Sequence, residues 1–98
     1  MERKFNITMH VPLGVRRGTI SFTEDPPEIH GVLEILGGKD KFTGTLTENG
    51  IMEIRGKITS LLHTFSYFAK GTIANSHLTL SMTTDKHSFF ITGEEIIS

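Results

Sequence analysis

Apolar and polar residues alternate with a period of two along almost the whole chain, and this alternation constrains the fold more than any other feature. Phe5, Ile7, Met9 and Val11 alternate with Lys4, Asn6, Thr8 and His10; Gly18, Ile20 and Phe22 alternate with Arg17, Thr19, Ser21 and Thr23. The pattern continues through Ile29 to Ile35, Phe42 to Leu46, Met52 to Ile58, Phe65 to Ile73, Leu78 to Met82 and Phe89 to Gly93. A period of two puts successive side chains on opposite faces of an extended segment, so each segment reads as a strand with one apolar face. That makes eight strands in 98 residues, and no helical stretch of ten is left over.

The breaks carry turn chemistry: Pro12-Leu13-Gly14, Asp25-Pro26-Pro27, Gly37-Gly38-Lys39-Asp40, Glu48-Asn49-Gly50, Ser60 to His63, Asn75-Ser76 and Asp85-Lys86. All are short. Short connections join antiparallel neighbours, whereas parallel strands need long crossovers. The chain therefore reads as an antiparallel meander forming one all-β domain over residues 1–98.

Glycine recurs on the apolar faces. Gly18, Gly31, Gly44, Gly56 and Gly71 follow one another at intervals of 13, 13, 12 and 15. Glycine inside a strand weakens it unless a bend or a close approach requires it. Matching inward residues across each hairpin pairs Gly18 with Val11, Gly31 with Leu46, Gly44 with Leu33, Gly56 with Phe42 and Tyr67, Gly71 with Met52 and Leu80, and Gly93 with Leu78. Small residues facing large ones suit the curled interior of a small barrel. With eight strands in order, the last lies antiparallel to the first and closure removes both sheet edges. The expected architecture is an eight-stranded up-and-down barrel, with a two-sheet β-sandwich of the same strands as the alternative.

Strand number and order over residues 4–95 resemble the small, bacterial-type up-and-down barrels of the calycin type: lipocalins, fatty-acid-binding proteins and streptavidin-like proteins. The likeness is architectural. Lipocalins carry a Gly-x-Trp near the first strand and streptavidin-like biotin sites lean on tryptophans, and this chain has no Trp. The resemblance implies a binding scaffold rather than a catalyst. An eight-stranded barrel is just wide enough to be filled by side chains or to hold one small ligand. The many large inward residues favour a filled interior over a fatty-acid-sized cavity.

Charge is nearly balanced, with ten Lys+Arg, eleven Asp+Glu and a net charge of −1. This excludes a net-basic nucleic-acid binder, and the absence of Cys excludes disulfides, thiolate metal sites and cysteine nucleophiles. No apolar run approaches the roughly 20 residues that span a bilayer. A cytoplasmic protein acting without nucleic acid, membrane or cofactor is expected. Placement matters more than totals, because alternate turns of a meander lie at opposite ends. One end collects Arg16, Arg17, Lys39, Lys41 and Lys86 against Asp40 and Asp85, with His63, His87, Leu13, Val15, Leu61 and Leu62 beside them. The other collects Glu2, Glu24, Asp25, Glu28, Glu48, Glu94 and Glu95 against Arg3 and Lys4. Arg55, Lys57, Lys70, Glu34 and Glu53 fall between.

Two readings of function follow. In the first, the chain is a non-catalytic module that takes a small apolar or anionic ligand at the basic end, through Arg16, Arg17, Lys39, Leu61, Leu62, His63, Tyr67 and His87. In the second, a packed barrel acts through protein contacts, as a homodimer or with a partner, using outward Phe68, Phe90 and Val32. The five histidines form no HxH or HExxH spacing, so no metal site is expected. No GxSxG, phosphate loop or dinucleotide fingerprint is present, and the paired carboxylates Glu24-Asp25 and Glu94-Glu95 lie on rims.

Overall fold

The computed structural model describes residues 2–60 and 63–97. Eight strands run in chain order: β1 (Glu2–Val11), β2 (Gly14–Asp25), β3 (Glu28–Ile35), β4 (Gly38–Leu46), β5 (Ile51–Thr59), β6 (Thr64–Ala74), β7 (His77–Thr83) and β8 (Ser88–Glu95). Every consecutive pair is antiparallel, and β8 pairs back onto β1 from Phe5–Glu95 to His10–Phe90. The sheet is thus a closed barrel and not a sandwich.

The four later hairpins, from β4–β5 to β7–β8, have the register expected from matching apolar faces. The first three differ. Gly18 faces Ile7 rather than Val11, Gly31 faces Phe22 and Phe42 rather than Leu46, and Gly44 faces Ile29 rather than Leu33. Each slip is an even number of residues, so the inward set is unchanged. The cause lies in the turns, which are tighter than their composition suggests: only Pro12-Leu13, Pro26-Pro27 and Leu36-Gly37 separate the paired residues. At the third, Leu36 adopts a φ of 56° and Gly37 one of 82°. That left-handed pair matches strand twist, but a bulky residue rarely accepts it. Leu36 packs against the core, which offsets the strain. Gly38, expected in this turn, is instead the first residue of β4.

The small-against-large expectation survives the slips. Gly93, for example, lies between Ile7 and Leu78. Inside, eighteen apolar or aromatic residues are 5% exposed or less among the described residues, from Phe5 through Tyr67 to Ile91. They fill the barrel along its length, and the rings of Phe5 and Phe22 stack at 6.1 Å near one end.

Gly71 illustrates why the inward glycines are needed. A Cβ there would run into the backbone carbonyl of Thr79 on β7. Substitution must therefore push two strands apart. Gly71→Ala is expected to destabilise by about 2–4 kcal/mol, read as a lower urea midpoint. Gly37→Ala meets nothing within 4 Å and bears only the strain of its positive φ, about 1 kcal/mol.

Candidate functional site

The two ends of the barrel are built differently. At the acidic end, Arg3 shares the inward face of β1 with Phe5 and closes the mouth. Its guanidinium stands 5.4 Å above the Phe5 ring and donates twice to Glu95, from Nε to Oε2 (2.9 Å) and from Nη2 to Oε1 (2.8 Å). Glu24 lies 3.7 Å from Nη1. Hydrogen bonds from Arg3 hold the Glu95 carboxyl below the ordinary carboxylate range, and the same contacts raise Arg3 above its own. Beside this plug a depression of about 570 Å³ opens over Ile29, Leu46 and Ile73, rimmed by Glu28, Glu48 and Asn75.

The basic end divides into two depressions. One, of about 360 Å³, lies between the β5–β6 and β7–β8 turns. Phe65 and Phe89 form its apolar floor, and His63, Lys86, His87 and Asp85 stand at its rim. The His87 ring packs on Phe89 at 6.0 Å. Both turns are pinned by their own side chains. The Ser60 hydroxyl donates to the His63 carbonyl (3.1 Å), and Thr84 Oγ1 accepts from the His87 N–H (3.1 Å). The other depression, of about 330 Å³, lies between β2 and the β3–β4 turn and is lined by Arg17, Glu34, Leu36 and Lys39. Glu34, expected between the two ends, forms an exposed ion pair with Lys39 at 3.6 Å. Arg16 is exposed further along β2, where Nη1 donates to the Val15 carbonyl. Leu61 and Leu62 lie outside the described residues. Of the residues assigned to a basic-end site, His63 and His87 are brought together, while Arg17 and Lys39 form a separate wall.

Tyr67 does not reach either depression with its hydroxyl. It is buried on the inward face, lies across from Gly56, and its Oη has no hydrogen-bond partner. Burial, and secondarily the charge of Asp40, raises the phenol well above its usual pKa. Asp40 shares the inward face of β4 with Phe42. Its Oδ2 accepts from the Thr59 N–H (2.8 Å) and its Oδ1 from the Thr59 hydroxyl (3.0 Å). The β4–β5 ladder stops at Phe42–Gly56, so beyond that point the Asp40 carboxylate satisfies an amide that a neighbouring strand would otherwise take. Arg3, Asp40 and Glu24 were readable only as rim charges. The signal that marks them is parity, since each falls in step with an inward phenylalanine two residues away.

On the outer surface, Arg55 lies over Phe68 at 5.5 Å and Glu53 faces Lys70, as the register requires. The proposed contact residues do not form one patch. Val32 stands between Ser21 and Lys41, Phe68 between Arg55 and Thr83, and Phe90 between Ser81 and His10.

Two outcomes test this geometry. A carboxyl whose pKa is lowered by folding stabilises the fold above its unfolded pKa and loses that contribution as pH falls through the folded value. The stability gap between the native chain and Glu95→Gln is therefore expected to be about 1–2 kcal/mol at pH 7 and to close progressively below about pH 4, followed by urea midpoints across pH. Tyr67→Phe removes an unpaired buried hydroxyl and is expected to leave stability unchanged or raise it by up to about 1 kcal/mol in the same assay.

No protein-family model matches the chain, and no curated protein matches it. Among solved structures, the chain is similar to a redesigned beta barrel, mFAP1, bound to DFHBI. The two share 16% identity at a TM-score of 0.72, over 95% of this chain and 92% of that one. At that identity the likeness shows the fold alone: an eight-stranded, antiparallel, up-and-down β-barrel.

Proposed function

We propose that the chain is a non-catalytic binding module for a small anionic ligand with an apolar body, taken at the basic end between the β5–β6 and β7–β8 turns. The observation that carries this reading is the pairing, in one depression, of a Phe65/Phe89 floor with a rim of nitrogen donors from His63, Lys86 and His87 beside the one carboxylate of Asp85. Small-molecule sites combine an apolar lining with a few convergent polar groups, and this is that combination. The volume of about 360 Å³ fits a ligand of modest size. A filled barrel directs binding to an end rather than the middle. The similar barrel mFAP1, solved with DFHBI, supports small-ligand binding as something this architecture accommodates. Outward threonines and charged residues, such as Thr43, Lys57 and Thr79, suit an aqueous, cytoplasmic setting.

Titration with the anionic dye 1-anilinonaphthalene-8-sulfonate, followed by fluorescence, tests the reading. Saturable binding is expected at one site per chain, weakened about tenfold by Lys86→Glu combined with His87→Ala and weakened further by salt. No saturable binding, or binding indifferent to both substitutions, sinks the proposal.

A further inference from the structure

The strands of the barrel do not end level. β2 stays paired with β1 through Met9–Arg16, His10–Val15 and Val11–Gly14, but its ladder with β3 begins only at Thr19–Glu34. β3 then turns away at Leu36-Gly37. The stretch Gly14–Arg17 therefore runs beyond β3 with one edge in the sheet and no strand paired to the other, and all four residues are exposed. The molecule is 35 Å along its axis and 21 Å across, in keeping with a hairpin that projects at this end.

We propose that this edge of β2 is a docking strand for an extended acidic peptide segment, which adds to it as a further strand. An unpaired strand edge offers a row of amides and carbonyls that an extended chain satisfies by pairing. Charge selects the partner. Arg16 and Arg17 form no ion pair among the described residues, and Glu34, which lines the same depression as Arg17, is paired with Lys39. Because the two arginines are adjacent, they point to opposite faces of the strand. Neighbouring acidic residues on the incoming segment would meet one each.

Apolar anchors adjoin the edge. Val15, on the edge strand itself, is 42% exposed. Leu13 at the hairpin tip is 91% exposed. Room is present as well, since the depression lined by Arg17, Leu36 and Lys39 opens where the β2–β3 ladder stops. A second copy of the chain is the poorer occupant. Antiparallel self-pairing would set Arg16 and Arg17 against the same pair, and like charges facing one another destabilise a ladder. The Arg16 contact to the Val15 carbonyl is one exposed hydrogen bond that an incoming strand can displace.

The test uses amide NMR of the full chain with acetyl-TVEEVT-amide, its lysine counterpart acetyl-TVKKVT-amide, and the acidic peptide with alternate backbone amides methylated. With the acidic peptide, saturable shifts are expected over Gly14 to Gly18, and slowed hydrogen exchange at those of their amides that face away from β1. The lysine peptide and the Arg16→Glu/Arg17→Glu double variant are expected to bind at least about tenfold more weakly, and the methylated peptide not at all. Both substitutions are on exposed side chains, and an unchanged melting temperature of the variant confirms that its fold is intact. Equal response to both peptides, survival of binding after methylation, or shifts confined to the His63–His87 depression each overturn the proposal. Protection of the same amides that grows with protein concentration, without peptide, overturns it in favour of self-pairing.

Discussion

Eight strands wound into so narrow a barrel bring backbones together on the concave side, and everything else depends on which residues give way there. At Gly31, Gly44 and Gly71 a single added methyl would strike the carbonyl or Cα of the neighbouring strand, so these positions admit the chain only without a side chain. The space they release is taken by Phe22, Phe42, Ile54 and Leu80. Small facing large is thus one arrangement seen twice, as the condition for curling and as the way the core is filled. A core filled in this way leaves binding to the rims, where the inward rows change from apolar to charged.

That arrangement was readable from the alternation of residues, because the side-chain period of a strand is two and only even slips preserve it. Turn geometry was less readable. Three hairpins close more tightly than their turn residues suggested, and Leu36 shows why in one of them: its left-handed backbone is tolerated because its side chain packs on the core, a tertiary reason invisible in local composition. Where the turn residues themselves favour positive φ, as at Gly50 and Asn75-Ser76, the register followed from them.

The ends were only partly legible for a related reason. Grouping loop charges by end correctly separated a basic from an acidic rim, but charge totals do not say which groups are already engaged. Arg3 is committed to Glu95, and Lys39 to Glu34. Asp40, which a tally sets against the surrounding lysines, turns inward to bind Thr59. His63 and His87 meet across one depression because their turns flank the paired strands β6 and β7. The meander order already places these two turns side by side, through the pairing of β6 with β7.

The stagger of the strands ties the two candidate sites together. Closing a barrel requires tilted strands and a sheared register, so hairpins cannot all end at one height. β1–β2 rises past β3, and β5–β6 rises past β7, whose pairing with β6 begins only at Phe68–Thr83. One projecting hairpin carries the Arg16-Arg17 edge, and the other forms a wall of the Phe65/Phe89 depression. Exposed edges of this kind invite pairing between copies, and positive charge at the edge opposes it. Arginines placed to oppose the addition of one barrel to another are therefore also the groups that would admit an acidic strand, so on the docking proposed above protection and recognition would rest on the same two side chains.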